Sequence, residues 1–218
     1  MTLLDIHTHS KKGKPTQEAI LNLPPEALSY TEEPFLDGNY YYSVGIHPKD
    51  INEKDSQKQL ERLSIVASHS SIIAIGESGL DKRVDSPLSL QIDVYKATVD
   101  LANRLKLPLI IHCVKAIDEL LSLKKENLSQ TPWIIHGFRG KKPQMEQLLK
   151  HGFYLSFGVR YHEDCMKEIP IDRLFLETDE ADININELLG KAARIKAIEI
   201  DELRSKLEDN ILKVFFKR

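Results

Sequence analysis

The residues of this chain that can do metal or acid–base chemistry recur at one kind of position: each follows a short apolar run. LLDIHTH (residues 3–9), IIAIGE (72–77), LPLIIH (107–112), WIIH (133–136) and LFLETD (174–179) end in His7 and His9, Glu77, His112, His136 and Asp179. Imidazole and carboxylate together suit Zn, Mn or Mg to different degrees. His7 and His9 are two residues apart, so on a strand they point to one face and can grip one cation, with Asp5 below them on the same side. A carboxylate such as Glu77 at the end of a buried run is expensive unless it finds a cation or donors, and its two oxygens can bridge two metals. Asp179 can ligate a metal and also take a proton from the water that the metal activates. Glu177 shares its face, and periodicity does not decide between them, but Asp179 lies nearer the chain's exit from the run.

Taken singly, His112 and His136 would read as satisfied core histidines. Four histidines and two carboxylates at equivalent positions point to a metal site instead. His47 ends YYYSVGIH just before Pro48. It would sit beside the set, either donating to a substrate oxygen or phosphate or merely capping its loop. His69, His151 and His162 fall in helical or loop contexts and read as surface residues. Two basic runs, KKGK (11–14) and RGKK (139–142), flank the same region, where they would steer a nucleic-acid backbone or simply be solvated.

These residues need a scaffold that brings distant strand ends together. Apolar runs alternate with amphipathic stretches along the chain, which predicts parallel strands separated by helices. Candidate strands are 2–7, 19–23, 41–46, 72–77, 108–112, 132–136, 152–157 and 174–178. The clearest helices are 56–69, 88–106, 115–126 and 143–151, with Leu90, Val94, Ala97, Leu101 and Leu105 near one face of the second. The segment 184–217 reads as two helices with a break near Glu199–Asp201. Eight strands favour a closed α/β barrel, whose carboxyl ends would aim every ligand into one mouth. Only nine residues separate His9 from the second strand, and they include Gly13 and Pro15. The first crossover is therefore expected to be a loop, and residues 24–38 carry little helix signal. The expectation is a distorted (β/α)8 barrel with a reduced first crossover, forming a single domain over residues 1–218.

Composition sets outer limits. The chain has 218 residues, 41% hydrophobic and 29% charged, with a net charge of −3. It is short for such a barrel, which usually takes ~250 residues. The net charge does not mark a general polyanion binder, so any such recognition must be local or carried by metal. Cys113 and Cys165 form no C-x-x-C pattern and read as reduced thiols. No apolar run approaches the ~20 residues of a membrane span and no signal peptide is evident, so a cytoplasmic protein with no membrane partner, and a monomer by preference, is expected.

The pieces DIHTH (5–9), GIHP (45–48), GESGLD (76–81), Gln91, LPLIIHC (107–113), HGFRG (136–140), GFYLSFG (152–158), LFLETD (174–179) and DELRSKLEDNILKVF (201–215) together resemble the TatD family of metal-dependent hydrolases, within the amidohydrolase-like barrels. The resemblance covers almost the whole chain. It implies two divalent ions within a family range of one to three. His7, His9 and Asp179 would hold one ion, His112 and His136 the other, and Glu77 would bridge. It also implies a deoxyribonuclease that cleaves phosphodiester bonds with hydroxide formed at the metal, Asp179 and Glu77 being the catalytic carboxylates. His47, Lys115 and Arg139 would contact the phosphate of DNA or another phosphodiester.

Three features differ from the family pattern. Val114 stands where an arginine is usual, TDEA (178–181) lacks the usual proline, and the segment after His9 is shortened. These differences motivate an alternative substrate, an ester or amide as in a D-aminoacyl-tRNA deacylase or small-molecule amidohydrolase. A further alternative is a barrel that serves as a partner-binding module. A phosphoesterase of the polymerase-and-histidinol-phosphatase type also opens with His-x-His, but GESGLD and HGFRG argue against it.

Overall fold

Eight short strands follow one another around a single parallel sheet. The computed structural model describes residues 3–10, 18–23, 27, 40–126 and 130–216. The strands are β1 (Asp5–Thr8), β2 (Ala19–Asn22), β3 (Tyr41–Val44), β4 (Ile72–Asp81), β5 (Leu109–Val114), β6 (Trp133–Ile135), β7 (Tyr154–Phe157) and β8 (Leu174–Leu176). Spatial order equals sequence order, and every adjacent pair is parallel. The ring is brought round by a parallel bridge between Thr8 and Asp179. There the Asp179 amide donates to the His7 carbonyl at 3.0 Å, and the His9 amide donates to the Asp179 carbonyl at 3.3 Å. The protein is a nearly closed (β/α)8 barrel, distorted by register shifts between β1 and β2, β3 and β4, and β4 and β5.

The helices α1 (Ser56–Ala67), α2 (Leu88–Leu105), α3 (Ile117–Lys125), α4 (Lys142–Lys150), α5 (Glu163–Glu168), α6 (Ile185–Lys196) and α7 (Ile200–Ile211) complete the layering. Strands covered on both faces must be apolar throughout, which is why they read as unbroken runs. Tyr95 of α2, Trp133 of β6 and Phe153 join two such layers, with successive ring centroids 5.5 Å apart. Among the described residues no helix is long and apolar enough to cross a membrane.

Several boundaries differ from the sequence expectation. β4 does not end at Glu77; it runs on to Asp81, and all ten of its residues are buried. Gly79 sits within the strand at φ 151°, and a Cβ there would collide with the His112 carbonyl oxygen of β5. β5 likewise continues past His112 to Val114, and α3 begins at Ile117 rather than 115. The buried face of α2 centres on Gln91, Tyr95, Thr98 and Ala102, leaving Leu90, Ala97 and Leu105 at its edges. The break between α6 and α7 covers residues 197–199, with Ala197 left-handed at φ 52°, and meets the expected place at Glu199. The short α5 had no sequence signal, because Cys165 and Met166 are its only buried residues. The reduced first crossover and the irregularity of 24–38 fall on residues 11–17 and most of 24–38, which lie outside the described residues.

Candidate metal centre

Glu77 is the hub. Its backbone is fixed by the Asn22 side chain, whose Oδ1 accepts from the Glu77 amide at 2.8 Å and from Ser43 Oγ at 3.1 Å. Gly45, directly after β3, lets β4 come close, since a Cβ there would lie 2.6 Å from the Glu77 carbonyl oxygen. The carboxylate then faces two sets of groups. Oε2 lies 3.7 Å from His7 Nε2 and 3.6 Å from His9 Nε2. Oε1 lies 2.6 Å from His112 Nδ1, 2.7 Å from His136 Nε2 and 3.5 Å from His47 Nε2. Asp179 Oδ1 closes the first set at 3.8 Å from His7 Nε2 and 3.6 Å from His9 Nε2. All six expected ligand residues therefore converge, although they come from β1, β4, β5 and the segments that follow β1, β6 and β8.

Fit to a cation is visible in the donors themselves. His7 is fully buried, yet neither ring nitrogen has a hydrogen-bond partner. Buried polar atoms are rarely left so, and a neutral imidazole beside carboxylates is what a divalent ion requires. The ligand atoms of His7, His9 and Asp179, of His7, Glu77 and His136, and of His47, Glu77 and His112 each lie within 4.8 Å of one another.

The ring nitrogens can be assigned from their other contacts. His136 Nδ1 lies 3.2 Å from Glu177 Oε1, so it donates there and leaves Nε2 for a cation. His112 is turned the other way: Nε2 donates to Asp81 Oδ2 at 3.0 Å, which leaves Nδ1 for a cation. Each histidine thus has a buried carboxylate behind it, the arrangement that fixes tautomer and orientation in metal sites. His47 differs. Its Nδ1 accepts from the Lys49 amide at 3.0 Å, so the neutral ring carries its proton on Nε2. Proximity alone groups it with Glu77 and His112, but that tautomer makes it a donor into the mouth rather than a ligand.

Charge follows the same logic. Burial keeps His7 well below the usual histidine range. Burial alone would raise the Glu77 carboxyl, but His136, His112 and His47 around it hold it well below the usual carboxylate range. His136 is buried too, yet Glu77 and Glu177 raise it well above its ordinary value. The hydrogen bond to Glu77 raises His9, and burial raises Asp179.

Asp5 does not reach the cluster. Thr178 donates to it from its amide at 3.0 Å and from Oγ1 at 2.6 Å, clasping the segment after β8 to β1. Thr8 Oγ1 donates to the Asp179 carbonyl at 3.1 Å. These bonds hold Asp179 in a left-handed conformation at φ 55°, which turns its side chain towards His7 and His9 while Glu177 stays in the barrel. Aspartate tolerates that region better than most residues.

A cavity of about 520 Å³ opens on the cluster, and Lys115 and Arg139 line it, exposed, together with His47, Lys49 and Arg83. Of the basic run 139–142, only Arg139 and Gly140 line it. Lys142 is paired with Glu168 at 2.6 Å. The run 11–14 lies outside the described residues. His69, His151 and His162 lie apart from the cluster; His69 Nδ1 accepts from the Ser71 amide, and His151 Nδ1 meets the Gln147 carbonyl. Asp81 and Glu177 were not singled out from sequence as orienting groups. Asp81 carried a signal in the GESGLD match, and Glu177 appeared only as a rival to Asp179.

A nearly closed parallel barrel with histidines and carboxylates gathered at the carboxyl ends of its strands is the architecture of metal-dependent hydrolases. Residues 21–216 match the family model described as TatD related DNase. The chain belongs to this family. It is 30% identical over 197 residues to the metal-dependent hydrolase YabD of Bacillus subtilis, covering 80% of this chain and 77% of that one. It is 32% identical over 206 residues to the metal-dependent hydrolase YjjV of Escherichia coli, covering 85% and 78%. A 3'-5' ssDNA/RNA exonuclease TatD from a Rahnella species is 32% identical over 151 residues, covering 63% and 56%. The fold is shared with a TatD family hydrolase of Entamoeba histolytica, with a TM-score of 0.77, 21% identity and coverage of 99% and 98%. It is also shared with the crystal structure of Escherichia coli YjjV, with a TM-score of 0.73, 22% identity and coverage of 92% and 86%.

Proposed function

We propose that this chain is a two-metal phosphodiesterase that acts on nucleic acid, with DNA its principal substrate. The observation that carries the reading is the division of ligand atoms about Glu77. His7, His9 and Asp179 face one of its oxygens, and His112 and His136 face the other. Divalent Zn, Mn or Mg ions held there would lower the pKa of a bound water to about 7 and offset charge on the phosphoryl group.

The chain's own groups supply the rest. Glu77 would serve both positions, with one carboxylate oxygen towards each. Asp179, on the open side of the cluster with its carboxylate about one-quarter exposed, takes the proton from the attacking water. Asp81 and Glu177 hold His112 and His136 with the correct nitrogen forward. The Nε2–H of His47 donates to a non-bridging phosphate oxygen, and Lys115 and Arg139 on the cavity rim attract the anion. The exonuclease activity named for the Rahnella relative supports a nucleic-acid substrate.

The test is hydrolysis of single- and double-stranded DNA with Mg, Mn or Zn, beside Asp179→Asn. General-base catalysis contributes on the order of 10²–10⁴-fold, and a loss of that size is expected in the variant. Equal activity in the variant removes Asp179 from the reaction, and no cleavage by the metal-loaded parent removes the nuclease reading.

A further inference from the structure

We infer that the apolar part of this cavity is a nucleobase subsite, which receives the base of the nucleotide whose phosphate lies at the histidine–carboxylate cluster. The inference rests on the nucleic-acid reading and places a part of the substrate which that reading leaves unplaced.

The cavity of about 520 Å³ begins at His9, Glu77, His112, His136 and Asp179 and also reaches the loops that lead into α3 and α4. A single phosphodiester at the cluster would occupy only part of that volume. Beside the polar groups the lining includes Val114, Ile117, Ile135, Phe138 and Leu148, and Gln144 lines the same cavity. These walls are set in advance. The Phe138 ring packs on Phe157 with centroids 5.7 Å apart. A Cβ at Gly140 would lie 2.7 Å from that ring, so a larger residue there would displace the ring. Ile135 and Leu148 are buried in the barrel and helix layers. A flat apolar group could enter with little reorganisation of the protein.

Gln144 adds polarity of one sign. Its Oε1 accepts from the Lys141 amide at 2.9 Å at the start of α4. The oxygen is thereby committed, and the side-chain NH₂ is what remains to meet a ligand. Every nucleobase combines a π face with carbonyl or ring-nitrogen acceptors at its edge. The exposed cations Arg83, Lys115 and Arg139 line the same cavity, although the whole chain is net negative at −3. The three features together suit a ligand that is anionic along its backbone and flat, apolar and accepting at its far end. An acyl chain would use the walls but neither the amide donor nor the cations.

Two variants isolate the recess. Ile117→Trp fills it. Gln144→Glu keeps the oxygen that caps α4 and replaces the NH₂ by a second oxygen. The metal-loaded protein and both variants are assayed with the p-nitrophenyl ester of thymidine 5'-phosphate and with methyl p-nitrophenyl phosphate, which shares the leaving group but lacks a base. Binding of thymidine 5'-monophosphate is measured by calorimetry, and circular dichroism checks the fold. The parent is expected to prefer the nucleoside ester in kcat/KM by at least about tenfold, and that preference and the calorimetric binding are expected to fall about tenfold or more in both variants. Folded variants that keep the preference and the binding overturn the inference, as does a parent with no preference for the nucleoside ester. Turnover of long-chain aryl esters without nucleotide binding overturns it too and makes the recess an acyl pocket. If no phosphodiester is cleaved with any metal, yet thymidine monophosphate binds the parent and not the variants, the recess stands and the hydrolytic reading falls.

Discussion

Replacing Asp81 by alanine should weaken metal binding without touching a ligand. Asp81 lies behind His112, accepting from Nε2 at 3.0 Å. It is only 4% exposed, and it is itself held: its other oxygen accepts from the Arg83 amide at 2.8 Å, and its backbone is bonded at both ends to the Gln91 side chain of α2. The His112 contact pulls the carboxyl below its ordinary value against the effect of burial, so the acceptor is ionised at neutral pH. A hydrogen bond to a charged group is worth ~1.5–3 kcal/mol. At about 1.4 kcal/mol per decade, its loss corresponds to roughly 10–100-fold in affinity, the range seen for second-sphere carboxylates. In Asp81→Ala the imidazole can also place its proton on Nδ1, the nitrogen that must face the ion. Asp81→Asn keeps an acceptor oxygen but not the charge and should fall between. The assay is competition for Zn or Mn against a chromophoric chelator, with circular dichroism to verify the fold. Parent-like affinity in Asp81→Ala would refute the reasoning, and so would an Asn variant weaker than the Ala variant.

Chelation should abolish hydrolysis and lower the thermal midpoint; ligand present at 100 times its Kd stabilises by about 2.7 kcal/mol, and re-addition of metal should restore both. Gly79→Ala should destabilise by about 3 kcal/mol or more in urea titration, because a side chain at φ 151° adds strain to a collision with the His112 carbonyl. Burial pushes the Cys113 thiol up to about 12. A raised thiol pKa means the thiolate is fully suppressed below its unfolded value and emerges only as pH climbs through the folded one, so at pH 8 about one molecule in ten thousand is reactive. Disulfide reagents should therefore label Cys113 at least a hundredfold more slowly than free glutathione at pH 8, and rapid labelling in the folded state would contradict that burial.

What could be read from sequence depended on whether a residue's role is local. Strand and ligand fall together at Thr8–His9, Ile111–His112 and Ile135–His136 because a parallel strand buried on both faces must be apolar until it reaches the mouth. The eight strands and their order follow from that rule. β4 broke it: Ser78 and Gly79 look like a turn, yet Gly79 is there because β5 passes too close for a side chain. Asp81 and Glu177 were illegible as orienters since their partners, His112 and His136, lie on other strands, 31 and 41 residues away. Periodicity put Glu177 and Asp179 on one face and could not rank them. The left-handed turn at Asp179, set by Asp5, Thr8 and Thr178, parts them. His47 reads from sequence as a phosphate donor or a loop cap, and its tautomer depends on one backbone amide, that of Lys49, which its Nδ1 accepts from.

The residue that brings the barrel round is also a member of the cluster. The backbone of Asp179 bonds to His7 and His9 across the β8–β1 seam, while its side chain faces the imidazoles of the same two residues. Closing the ring and assembling this half of the centre are thus one event. In a nascent chain this half stays incomplete until nearly the last strand, because His7 and His9 wait for Asp179. An ion held by His7, His9 and Asp179 would act as a rivet through the seam, and its arrival should slow amide exchange at His9 and Asp179 more than anywhere else on the ring. Circular permutation that cuts the seam would sever metal binding and architecture together.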